Sequence, residues 1–181
     1  MTDFGAGDDV GDNATFPAPF GQLAAREAPS RAELATVVGL VRALRADLVN
    51  VGYGRTPRSI ASANAFIESW EAAGGQIGAV VSWPSVAASW LRPAGRLAAG
   101  APDAWVVADT TEGWASIGRR LAATGRWWAP RTIAFEGLAD PLLPSVTGFE
   151  ASEGLSGSLS EGTVWTFRDG LLVTGSPGGD R

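Results

Sequence analysis

The sequence predicts an α/β fold, a four-stranded doubly wound parallel sheet with a β-hairpin at its C-terminal end. Three observations carry this. Short apolar runs alternate with segments of helical period about every 25 to 30 residues, the rhythm of strand–helix–strand units with right-handed crossovers. Within that rhythm, Pro102 to Gly137 reads as a complete strand, crossover helix and parallel strand. Thr163 to Phe167 and Leu171 to Thr174 then flank Arg168-Asp169-Gly170, a hairpin signal.

The elements follow in order. Residues 1–19 carry Gly, Asp and Pro without periodicity and are expected to form a flexible acidic head. Residues 20–175 form a single α/β domain, and 176–181 a frayed tail. Ser30-Arg31-Ala32-Glu33 has the form of a capping box, and Leu34, Val37, Val38, Val41 and Leu44 follow as one helical stripe. Leu48 to Gly52 reads as the first strand. Thr56-Pro57 caps the next helix, whose buried face is Ile60, Ala63, Phe66, Ile67 and Trp70, and Gly74-Gly75 ends it. The second strand runs from Ile77 to Ser82. Pro93 then requires a kink or restart near Arg92.

Ala104 to Ala108 is apolar throughout, as expected of a strand covered on both faces. It stops at Asp109-Thr110-Thr111-Glu112, where Asp109 can cap a helix and Glu112 can reach back to it. Trp114, Ile117 and Leu121 share one face of that helix. Thr132 to Phe135 is the fourth strand, and residues 138–162, rich in Pro, Ser and Gly, read as loop.

Composition excludes several chemistries. The 181 residues, 45% hydrophobic and 18% charged, suit one domain with a substantial core. The chain has no Cys and no His, and every basic residue is Arg. Disulfides, thiolate or imidazole metal sites, Ser-His-Asp triads, a P-loop lysine and Schiff-base chemistry are therefore all excluded. The net charge of −5 is largely a head-end property, since Asp3, Asp8, Asp9 and Asp12 precede the first arginine, Arg26. No basic stripe exists to track phosphates, so no nucleic-acid partner is expected. No run of about eighteen apolar residues and no leader-like segment is present, so no membrane partner and a cytoplasmic location are expected.

The candidate site lies at the carboxyl ends of the strands, where open α/β sheets bind ligands. Ser82 and Trp83 end the second strand, where Trp83 supplies either a stacking wall or a shield for the sheet edge. The turn Gly52-Tyr53-Gly54 does not match GxGxxG, so no dinucleotide cofactor is implied. Glu112, Glu136 and Asp140 could gather at the same edge as an acid/base pair or a cation site. Most of the eight tryptophans sit at core spacing, including Trp70, Trp90, Trp105 and Trp114. Trp127-Trp128 is different, because adjacent loop residues do not both point inward with ease, and it marks an apolar contact patch.

Read together, the segments resemble the second lobe of the type I periplasmic binding proteins of ABC transporters, in the branch that binds leucine, isoleucine and valine. Residues Ala25 to Ser30 are similar to the segment by which that family's chain enters this lobe. Asn64 to Ile77 is similar to its next helix and glycine-pair turn, and Arg96 to Asp109 to its helix, Pro-Asp turn and third strand. Glu153-Gly154-Leu155-Ser156-Gly157 and Phe167 to Leu172 resemble its closing segments. The resemblance implies the strand order 2-1-3-4. It also implies that Glu136, just after the fourth strand, receives the ammonium of an amino-acid ligand, and that Asp109, Thr110 and Thr111 occupy the other contact point. The family's first lobe and export signal have no counterpart in the sequence, and family members hold ligand between two closing lobes.

The function expected is a non-catalytic module that binds a small amino-acid-like ligand through Tyr53, Ser82, Trp83, Asp109, Thr110, Thr111 and Glu136, with no cofactor and no metal. The alternative is a small enzyme using carboxylates or a divalent cation at the same edge. A homodimer through Trp127, Trp128 or an exposed sheet edge is the expected way to cover the remaining apolar surface.

Overall fold

A computed structural model describes residues 28–175. The expected acidic head and frayed tail lie outside the described residues. Helix α1 (Arg31–Ala43) leads into strand β1 (Leu48–Gly54), helix α2 (Pro57–Ala72), strand β2 (Gln76–Trp83) and a short helix α3 (Leu91–Leu97). Strand β3 (Ala104–Ala108), helix α4 (Thr111–Ala122), strand β4 (Thr132–Ala134) and helix α5 (Leu143–Thr147) follow. Strands β5 (Ser156–Ser158), β6 (Val164–Arg168) and β7 (Leu171–Gly175) complete the described chain.

One seven-stranded sheet results, in the order β2-β1-β3-β4-β5-β6-β7. The first four strands run parallel in the order 2-1-3-4. The parallel part has a fifth member, because β5 pairs with β4 within the stretch expected to be loop. That stretch also holds α5 and a single 3₁₀ turn at Phe149–Ala151. The reason for the missed strand is steric. Ser156-Gly157-Ser158 has no branched or aromatic residue to signal a strand, and a Cβ at Gly157 would stand 2.1 Å from the Ala134 carbonyl oxygen and 2.5 Å from the Trp165 ring. β6 and β7 extend the sheet in antiparallel fashion, joined by Asp169-Gly170 with both φ angles positive, as a tight two-residue turn requires.

The sheet separates two cores. Alternate residues of β3 face opposite ways: Trp105 and Val107 meet Trp83, Leu97, Trp114, Ile117 and Trp165 on one side. Ala104, Val106 and Ala108 meet Val37, Val41, Phe66 and Trp70 on the other. Helices α3, α4 and α5 thus cover one face and α1 and α2 the other, the doubly wound arrangement. On α2, Ile60 was expected inside but is 39% exposed, and Ser59 and Ser62 turn inward instead. Trp127 is also internal, packed on Trp114 with ring centroids 6.0 Å apart, while Trp128 is 59% exposed. The expected two-residue patch therefore reduces to Trp128, because successive residues here point to opposite sides of the chain.

One buried polar side chain shapes the sheet. Asn50 is almost fully enclosed on β1, where its Oδ1 accepts from Ala79 N at 2.7 Å and its Nδ2 donates to the Leu97 and Ala99 carbonyls, each at 2.8 Å. The β1–β2 register shifts at this point. The side chain supplies the partners that the interrupted ladder does not. No helix among the described residues is long and apolar enough to cross a membrane.

Candidate functional site

The carboxyl ends of β1, β3 and β4 bring most of the expected residues to one edge. Tyr53 closes β1, Asp109-Thr110-Thr111 follows β3, and Phe135-Glu136 follows β4. Two of the residues are not open to a ligand. Trp83 is fully buried, and its Nε1–H donates to Asp109 Oδ2 at 2.7 Å. It is neither a stacking wall nor an edge shield but a donor to a buried carboxylate. Asp109 is 5% exposed and also accepts from its neighbour Thr110 N at 2.8 Å. The cap of α4 is Thr110, whose hydroxyl accepts from Gly113 N at 3.2 Å, so the expected Asp109–Glu112 box does not form and Glu112 is exposed.

Three glycines make room for Asp109. A Cβ at Gly54 would lie 2.1 Å from Asp109 Oδ1, one at Gly113 2.4 Å from the same atom, and one at Gly137 2.2 Å from the Asp109 carbonyl oxygen. Glycine is required here by close approach. Burial pushes the Asp109 carboxyl up to about 6, with the Thr110 amide and the Trp83 indole pulling the other way.

Beside it stands a charge cluster that sequence reasoning missed. Ser30 caps α1 as expected, accepting from Glu33 N at 3.0 Å, and the Glu33 side chain is in turn held by the Ser30 backbone amide, as a capping box requires. That side chain is fully buried, its Oε1 accepts from Glu136 N at 2.8 Å, and its Oε2 lies 3.2 Å from Arg58 Nη2. The same Arg58 Nη2 lies 3.1 Å from Glu136 Oε2, and Ser160 Oγ donates to Glu136 Oε1 at 3.1 Å. Ser30 Oγ in turn donates to the Ser160 carbonyl. Glu136 is thereby fixed from both sides while its side chain stays 38% exposed. Burial drives the Glu33 carboxyl upward, opposed by the Glu136 amide and the Arg58 guanidinium. The one signal for this cluster was Glu33 itself, since a first-turn glutamate followed by an apolar stripe reads equally well as a cap.

Between these groups runs a crevice of about 40 Å³, lined in part by Thr56, Arg58, Ser62, Asp109, Thr110 and Gly137. Ser62 Oγ is buried there without a hydrogen-bond partner among the described residues, and so is Thr111 Oγ1 nearby in the chain. A space of that size takes one or two waters and no organic ligand. A solute would therefore sit above it, against the partly exposed Tyr53, Ser82 and Glu136 and the exposed Thr110. The expected gathering of Glu112, Glu136 and Asp140 is not found: among the described residues, no group of three potential metal ligands lies together. The chemistry available is recognition by fixed carboxylates, hydroxyls and one shared guanidinium.

Comparison with known protein families and with curated proteins finds no match to the sequence. Solved structures do match. A substrate-binding periplasmic protein from Ralstonia solanacearum superposes with TM-score 0.60 at 20% identity, over 72% of this chain and 37% of that one. The leucine-binding protein LivK of Thermotoga maritima gives TM-score 0.59 at 23% identity, over 68% and 36%. A solute-binding protein of an ABC transporter from Rhodopseudomonas palustris HaA2, in complex with p-hydroxybenzoic acid, gives 0.58 at 15%, over 70% and 34%. The fold is that of one lobe of a type I periplasmic substrate-binding protein. The matched region spans little more than a third of the length of these proteins.

Proposed function

We propose that this protein is a binding module for a small amino-acid-like solute, met at the carboxyl edge of the sheet by the Glu136 carboxylate. The observation that carries this reading is the fixing of Glu136. A half-exposed carboxylate held by Arg58, Ser160 and a backbone amide bound to buried Glu33 is oriented in advance, so little conformational freedom is lost when an ammonium group docks. Tyr53, Ser82, Thr110 and Thr111 supply the surrounding polar surface, with Trp83 and Asp109 as its support from below. The solute-binding neighbours, one named for leucine and one holding p-hydroxybenzoic acid, support a solute as the ligand class. Among the described residues no three potential metal ligands lie together, so no observation there favours the cation site of the enzymatic alternative.

The test is titration calorimetry and thermal shift with leucine, other amino acids and p-hydroxybenzoate. Saturating leucine should raise Tm, since a ligand that prefers the folded state must do so. Glu136→Gln should weaken binding at least tenfold, the loss of one charge-assisted hydrogen bond. A stabilising response to divalent cations without any response to amino acids would overturn the reading. The expected self-association is proposed through Trp128 and neighbouring Phe149, both well exposed, or through an exposed sheet edge. Trp128→Ser should abolish it in a sedimentation run if the first holds and leave it intact if the edge carries it.

A further inference from the structure

The outer face of α1 carries a groove that the solute-binding reading does not use. Leu34, Ala35, Val38 and Gly39 of α1, with Ser69 of α2, form an apolar hollow of about 370 Å³, and Arg31 and Arg42 stand at its two ends. Leu34 and Val38 belong to the stripe that should be covered, yet both remain partly open. Gly39 sits in mid-helix, with no described residue within 4 Å of where a Cβ would be. A glycine there weakens the helix without relieving any local crowding. Arg31 and Arg42 are exposed, and neither meets a carboxylate among the described residues.

The chain itself contains a complementary segment. Residues 1–27 precede α1 and carry Asp3, Asp8, Asp9, Asp12 and Glu27 against the single Arg26. They also contain Phe16-Pro17-Ala18-Pro19-Phe20, two large rings four residues apart. We propose that this acidic, phenylalanine-bearing segment docks in cis along α1, with Phe16 and Phe20 on Leu34, Val38 and Gly39 and its carboxylates on Arg31 and Arg42.

The reach is sufficient. Arg31 and Arg42 are eleven helical residues apart, about 16 Å at 1.5 Å per residue. The ten residue steps from Phe20 to Ser30 span up to about 33 Å when extended. The segment can therefore reverse at the start of α1 and run antiparallel to it. That direction places Glu27 near Arg31, the two phenylalanines over the hollow, and Asp8, Asp9 and Asp12 near Arg42. Covalent attachment holds the segment at high effective concentration, so two modest ion pairs and two buried rings suffice. The contact leaves the carboxyl edge of the sheet open and stands whether or not a solute binds there.

The absence of cysteine makes the test direct. A nitroxide on Ala14→Cys in isotope-labelled full-length protein should broaden the amide signals of Ala35, Val38, Gly39 and Arg42 to less than half their reduced intensity. Signals from β6 and β7 should keep theirs. The broadening should weaken on raising the salt and vanish in R31E/R42E, both exposed positions whose change leaves the melting curve close to that of the parent. Uniform broadening, broadening confined to another face, or broadening that survives in R31E/R42E would overturn the proposal. So would broadening seen only when labelled protein is mixed with spin-labelled unlabelled protein, which would assign the groove to a second copy.

Discussion

Lowering the pH from 8 to 5 should strengthen the fold through Asp109, the reverse of the usual behaviour of a surface aspartate. The carboxyl has an ordinary value of 3.8 and is pushed up to about 6 in the folded protein, chiefly by burial. The folded state therefore binds the proton more tightly than the unfolded chain. Between about pH 4 and 6 folding takes up a proton, so stability falls as pH rises through that window. A full shift of about 2 units is worth about 3 kcal/mol. By pH 5 the folded form is about nine-tenths protonated and the unfolded form hardly at all, which realises about 1.4 kcal/mol of that sum relative to pH 8. Urea unfolding of the parent and of Asp109→Asn at both pH values is the assay. The comparison uses the change with pH, because an asparagine amide would face the Thr110 amide and shift the absolute stability. Glu33, also raised by burial, contributes with the same sign in both proteins and cancels. The reasoning is refuted if parent and variant gain equally on acidification, or if the parent alone weakens.

Other outcomes follow from the same packing. Trp127→Ala should cost about 3–5 kcal/mol, as for a large core side chain, while Trp128→Ala stays within about 0.5 kcal/mol; urea midpoints at pH 7 separate them. Gly113→Ala should destabilise by about 1–3 kcal/mol although alanine is the better helix former, because the new methyl meets Asp109, and pairing it with Asp109→Ala should recover part of the loss. Arg58→Met should destabilise by about 3–5 kcal/mol, since it strands Glu33 without its cation, and Glu33→Gln in that background should restore stability, measured as a double-mutant cycle.

How far the sequence can be read depends on how local each feature's cause is. The apolar run Ala104 to Ala108, the Thr56 cap and the Asp169-Gly170 turn are fixed by their own neighbours, and all stand where their residues indicate. Thr110 rather than Asp109 caps α4 because Asp109 is claimed by Trp83, 26 residues away, and by the space left at Gly54. Glu33 has the local form of a capping-box member, and the passage of Glu136 beneath α1, 103 residues later, gives it a second role that its neighbours do not signal. Arg58 after Pro57 looks like a solvated first-turn residue until both carboxylates are in place. β5 is hidden because its glycine answers to the backbone of β4 and to Trp165, and neither is near it in the chain.

The charges at the carboxyl edge also decide which part of a zwitterion can be received there. Two helices, α2 and α4, aim their N-termini at this edge, and such termini attract anions. Here both are partly committed. Thr56 accepts from Ser59 N, Thr110 accepts from Gly113 N, and Asp109 takes the Thr110 amide. The one guanidinium of the charge cluster, Arg58, is shared between Glu33 and Glu136. A carboxylate arriving beside Glu136 would meet Asp109, Glu33 and Glu136 against that engaged cation, with the exposed Arg55 further along at the end of β1. An ammonium would meet the half-exposed Glu136, whose Oε1 and Oε2 each hold one donor and retain accepting capacity. An amino acid docked at Glu136 would therefore lead with its ammonium group, and its carboxylate would need donors other than Arg58.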